Sequence, residues 1–122
     1  MTAPLAPDLA ADYVRELSAD VTAVVVLGPD GARLAGEATA APAAARLAQA
    51  LPEGGVVVTA SGTAWVARTS ERTLVAVARP GSGPGPTGLD VAAAIGAPAP
   101  PERLDAPSDA LRRAVEDVIV GT

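Results

Sequence analysis

An α+β domain built on an antiparallel sheet is what these 122 residues predict, and three observations carry the prediction. Two continuous apolar runs, Val21–Leu27 and Thr73–Ala78, are too short and too rich in β-branched residues for buried helices. They read as strands covered on both faces. Three strand-like segments between residues 56 and 78 follow one another across tight turns, as in a meander. Segments with helical spacing of apolar residues stand near both ends of the chain.

The first element is a helix. Pro7 and Asp8 suit a helix entry and a carboxylate near its positive end. Leu9, Tyr13, Val14 and Leu17 then fall at i, i+4, i+5 and i+8, which predicts the buried face, with the helix ending near Ala19. The strand Val21–Leu27 is closed by Gly28-Pro29-Asp30-Gly31. Proline second, aspartate third and glycine fourth are favoured in a type I turn. Residues 32–37 return as a weaker strand, with Arg33, Ala35 and Glu37 on one side and Leu34 on the other. That is the pattern of an edge, or of a half-exposed strand.

Residues 42–51 predict a second helix, with Pro42 at its first position and Pro52, Gly54 and Gly55 stopping it. Its surface is almost all alanine, with Leu47 and Leu51 as large apolar groups and Arg46 and Gln49 as the polar side chains. A ten-residue helix that is apolar nearly all round is marginal alone in water and needs cover on more than one side. Residues 56–60, 63–69 and 73–78 form the meander, turning at Ser61-Gly62 and at Ser70-Glu71-Arg72. The alternating Gly and Pro of residues 81–86 predict a loop, and residues 89–95 a short helix with Gly96 beyond its end. Residues 97–107 hold four prolines and predict an extended linker. Ser108 is a good N-cap for a last helix, on which Leu111, Val115, Val118 and Ile119 form an apolar stripe. The expected organisation is a domain over residues 1–96, a linker over 97–107 and an amphipathic helix over 108–122.

Composition removes many chemistries. The chain has no Cys, so no disulfide framework, thiolate nucleophile or iron–sulfur site. It has no His, the commonest general base and transition-metal ligand, and no Lys for Schiff-base or Walker chemistry. A formal charge of -5, with arginine the only basic side chain, argues against nucleic acid and against anionic membrane as partners. The N-terminus lacks the pattern of a signal peptide, and no apolar run reaches the length of a membrane span. These features predict a cytoplasmic protein without membrane insertion.

The remaining motifs favour structure over catalysis. Pro84 and Pro86 deprive the glycine-rich segment of the N–H donors that a phosphate cradle needs. The carboxylate pairs Asp8 with Asp12 and Glu116 with Asp117 lie on outward helix faces. No activating base serves the hydroxyls of Thr59, Ser61, Thr63, Thr69, Ser70 and Thr73, which strand and turn chemistry explains. Trp65, in a strand, reads as a core or interface group. No enzyme, no cofactor and no metal is expected.

The pattern resembles the Roadblock/LC7 family, in particular its bacterial members that act with small Ras-like GTPases. The resemblance is carried by the helix ending in Glu16-Leu17-Ser18-Ala19-Asp20, the strand Val21–Leu27, the Asp30-Gly31 turn leading to Leu34-Ala35, and the meander over residues 56–78. It covers roughly residues 8–96. Profilin-like and longin-like proteins share the topology. The short alanine-rich second helix and the slight third helix depart from the family pattern, and residues 97–122 have no counterpart in its minimal domain, although some bacterial members use a C-terminal helix to engage the GTPase. The resemblance implies a profilin-like, roadblock fold: a five-stranded antiparallel sheet of order 2-1-5-4-3, two helices on one face and the second helix on the other. It also implies a non-catalytic scaffold or regulator of a small Ras-like GTPase in bacterial signalling. A profilin-like or PAS-like ligand-sensing module is the alternative.

Two interaction surfaces are expected. The run Val56-Val57-Val58 is apolar on both faces in what the resemblance makes an outer strand, where an uncovered flat edge is hazardous. Pairing two copies through this edge, with Ala43, Ala44, Leu47 and Ala50 of the second helix packed across a two-fold axis, predicts a homodimer. The terminal stripe Leu111, Val115, Val118 and Ile119 either folds back on its own sheet or docks a partner.

Overall fold

The computed structural model describes residues 6–17, 19–80, 88–97, 103–104 and 108–120. β1 (Val21–Leu27) and β5 (Thr73–Ala78) lie antiparallel at the centre of the sheet, with Val24 opposite Ala76 and Val26 opposite Leu74. Outside β1 runs β2 (Arg33–Gly36). Beyond β5 come β4 (Gly62–Arg68) and then β3 (Gly55–Thr59). The five antiparallel strands therefore stand in the order 2-1-5-4-3. A sixth strand was not anticipated. β6 (Arg103–Leu104), inside the segment read as a linker, pairs in parallel with β3, setting Arg103 opposite Val56 and Leu104 opposite Val57. The rest of that segment's Pro-rich stretches, and the Gly-Pro segment 81–86, lie outside the described residues.

The pleat sorts the core into two layers, because successive strand residues face opposite sides. Ala23, Val25 and Leu27 of β1 face one layer together with Val75 and Val77 of β5. This layer is covered by α2 (Ala41–Ala50) and α4 (Asp109–Val120). Val24 and Val26 face the other layer with Leu74 and Ala76, under α1 (Pro7–Leu17) and α3 (Gly88–Ala93). Trp65 is buried in this second layer with Val91, Ala92 and Ile95, so its role is core packing.

The turn after β1 forms as its residues dictate. Gly31 donates its N–H to the Gly28 carbonyl, and Asp30 accepts from the Ala32 N–H through its carboxylate. Gly31 has φ +82°, where a side chain would be unfavourable. Gly36 ends β2 at φ +96°, and a Cβ there would fall on the Val24 carbonyl oxygen, so only glycine lets the edge strand close on β1.

The helix α1 corrects the face expected from sequence. Its buried residues are Ala10, Ala11 and Val14, with Leu17 half-buried, while Leu9 is 57% and Tyr13 39% exposed. The two alanines let the helix axis lie close to the strands, and the helix is turned so that the larger Leu9 and Tyr13 stand on its flank. Arg15, on the other flank, pairs with Glu37 just after β2. This ion pair joins α1 to the edge of the sheet.

Candidate interaction surfaces

The terminal helix α4 begins where Ser108 accepts the Leu111 N–H at 3.3 Å, the cap that its sequence predicts. Asp109 and Glu116 flank Arg112 at i−3 and i+4 and support the exposed face. The apolar face is not displayed. Leu111, Val115 and Val118 are buried in the same layer as Ala43, Ala44, Leu47 and Ala48 of α2, and Val115 is fully enclosed. Ile119 is half-buried against that layer. The stripe considered for partner docking is thus packed on its own domain. At the rim, Arg46 of α2 lies 3.7 Å from Asp117, and Ser61 in the β3–β4 turn donates to Glu116 at 3.5 Å.

This packing changes the account of α2. Its alanine-rich surface demanded cover on a second side, and α4 provides it within one chain. Ala43, Ala44 and Leu47, expected at a two-fold interface, are buried beneath α4, whereas Ala50 is exposed. The β3 edge is also engaged: Val57 is buried in the α2–α4 layer, Val56 and Val58 are half-buried, and β6 occupies the outer side at Val56 and Val57. Part of the surface from which a homodimer was argued is thus covered within the chain, Val56 and Val57 by β6 and Ala43, Ala44 and Leu47 in the layer that α4 shares. Neither β6 nor the choice of α2 as the seat of α4 was legible: a two-residue strand has no period, and an amphipathic stripe does not say what it will cover.

A shallow recess of about 140 Å³ opens between the β1–β2 turn and the C-terminal end of α2, lined in part by Asp30, Gln49, Arg68 and Thr73. It is small beside the roughly 300–1,000 Å³ of ordinary ligand sites. Its charged groups are already engaged. Asp30 holds its own turn, and Arg68 donates to the carbonyl oxygens of Ala48 and Leu51, the natural place for a cation at a helix C-terminus. Arg68 was not singled out from sequence, where nothing marks it as a cap from a neighbouring strand.

Two hydroxyls of the meander serve turns. Thr59 donates to the Gly62 carbonyl and accepts the Ser61 N–H, and Thr69 accepts from the N–H groups of Glu71 and Arg72. Among the described residues no group of three or more carboxylates is placed to hold a metal ion, and no helix is long and apolar enough to cross a membrane. Among the described residues the large apolar groups left at the surface are Leu9, Tyr13, Leu34 and Val120. The chain matches no protein-family model, no curated protein and no solved structure.

Proposed function

We propose that this chain is a non-catalytic scaffold of the Roadblock/LC7 kind, holding a small Ras-like GTPase and altering its nucleotide turnover without adding a reacting group. The observation that carries the reading is the sheet order 2-1-5-4-3 with α1 and α3 on one face and α2 on the other. The same arrangement follows from the resemblance of residues 8–96 to that family. Supporting it, the described hydroxyls of Thr59, Ser61 and Thr69 and the carboxylates of Asp30, Asp109 and Glu116 are engaged in turns, caps and ion pairs. The recess beside Arg68, by its size and its internally used charges, gives a ligand little to bind.

The test is affinity capture from a lysate of the native cell, run with GDP, with a non-hydrolysable GTP analogue and without nucleotide. Recovery of a P-loop GTPase that depends on nucleotide state, followed by a change in its hydrolysis rate on adding the purified chain, is the expected result. Recovery of no such GTPase under any of the three conditions overturns the reading.

A further inference from the structure

We propose that the outer flank of α1, where Leu9 and Tyr13 lie beside Asp8, Asp12 and Glu16, is a docking surface for a cationic, arginine-bearing segment of a partner protein. The inference goes beyond the GTPase reading and does not rest on it, since it concerns one surface and the chemistry that fits it.

Four observations carry it. First, α1 buries its small side chains and displays its large ones. Ala10 and Ala11 meet the strands, while Leu9 and Tyr13 stand at the surface. These two exposed apolar groups are one turn apart on the same helix and so adjoin each other. Adjoining apolar groups rimmed by polar ones are the pattern of an interaction site, whereas scattered ones are ordinary surface. Second, the rim is of one sign. Asp8, Asp12 and Glu16 are exposed and follow one another at four-residue spacing, so they form a row alongside Leu9 and Tyr13. Third, among the described residues no ion pair engages that row. Arg46, Arg79 and Arg112 pair with carboxylates elsewhere, and Arg15, the one cation of α1, is held by Glu37 on the opposite flank. Fourth, the helix is braced. Ala10, Ala11 and Val14 are packed on the sheet and the Arg15–Glu37 pair ties α1 to its edge, so the flank is presented on a fixed support.

The charge selects the occupant. A row of carboxylates repels the phosphates of nucleic acid and of anionic lipid and attracts arginine or lysine. Arginine fits best. Its guanidinium meets a carboxylate with two parallel N–H donors and also stacks on an aromatic ring. Tyr13 supplies such a ring within one turn of Asp12 and Glu16. A second copy of this chain is a poor occupant, because a two-fold axis would bring the same carboxylates against each other. The segment that fits carries arginine next to apolar side chains that cover Leu9.

The experiment pans a displayed library of short peptides on the immobilised full chain. The enriched peptides are expected to combine arginine or lysine with apolar residues at helical spacing. Titrating one of them into the isotope-labelled chain should shift amide resonances of α1. Leu9→Ser and Tyr13→Ser should each weaken that binding, and the triple change Asp8→Asn, Asp12→Asn and Glu16→Gln should weaken it about tenfold and flatten its dependence on salt. Glu53→Gln with Glu71→Gln, exposed carboxylates outside α1, should leave the affinity unchanged. Circular dichroism confirms that each variant is folded. Because the chain has no Cys, Leu9→Cys reports on access: its thiol should react as fast as that of an unstructured peptide. The proposal is overturned if no peptide is enriched, if the enriched peptides lack cationic residues, if the resonance shifts lie outside α1, or if the α1 variants bind as the wild type does. A protected Leu9→Cys thiol also overturns it, since another part of the chain or a second copy then covers the flank.

Discussion

Arg68, on β4, donates to the carbonyl oxygen of Ala48 at 2.6 Å and so closes the end of α2 from a neighbouring strand. The last carbonyls of a helix have no partner within it. Here the cation that meets them comes from the sheet, which fixes where α2 stops relative to β4. Replacing it by Arg68→Ala should cost about 1–2 kcal/mol, a charged hydrogen bond and its interaction with the helix end. A urea denaturation midpoint equal to that of the wild type would show that the contact contributes nothing.

The packing of α4 on α2 makes a second expectation quantitative. Val115 is fully enclosed between α2 and the sheet, so Val115→Ala should lower stability by about 2 kcal/mol through the cavity it leaves. Val115→Asp should lower it by about 3 kcal/mol or more, or detach α4 altogether, because a carboxylate in that layer has no partner. Thermal unfolding followed by far-ultraviolet circular dichroism measures both. Two melting curves superimposable on the wild type would mean that α4 does not rest on α2.

Glycines in the same sheet should separate by what surrounds them. Gly36→Ala puts a Cβ onto the Val24 carbonyl at a positive φ and should destabilise by roughly 2 kcal/mol or more. Gly31 has positive φ but open space around it, so Gly31→Asn, a residue that tolerates this conformation, should stay within about 1 kcal/mol of the wild type. Equal losses for the two substitutions would contradict the close approach of β2 to β1.

The orientation of α1 is open to a simple comparison. Leu9→Ser and Tyr13→Ser should each change stability by no more than about 0.5 kcal/mol, as exposed positions do. Val14→Ala, on the face against the strands, should cost about 2 kcal/mol. Losses at Tyr13 as large as those at Val14 would restore the face that side-chain size alone suggests.

That last case shows where sequence reasoning ran short. The helical period of α1 was plain, and Val14 and Leu17 of the expected face do turn inward, but Leu9 and Tyr13 stand outside because Ala10 and Ala11 take their share of the packing. Strands were easier. Val21–Leu27 and Thr73–Ala78 are almost wholly apolar runs bounded by Gly, Pro and charged turns, and the two central strands have those same bounds. The strand order came with the resemblance of the whole pattern, for no single run of residues encodes its neighbours. The interaction surfaces were half legible. The need of α2 for cover and of the β3 edge for a partner could be read from Ala43, Ala44 and Val56-Val57-Val58, yet the answer lay in later residues whose own pattern was silent. Ser108 was the exception, a cap predicted by its type and found in place.

The pairing of β3 with β6 also has a history in time. Nearly fifty residues separate Val57 from Leu104, and α4 comes later still. At a synthesis rate of about 5–20 residues per second, β3 and α2 emerge several seconds before the elements that shield them. For that interval a nascent chain carries a bare valine edge beside a bare alanine helix. Two ribosomes translating the same message would hold such chains near one another. The cover of that edge and helix therefore waits on the synthesis of residues 103–120.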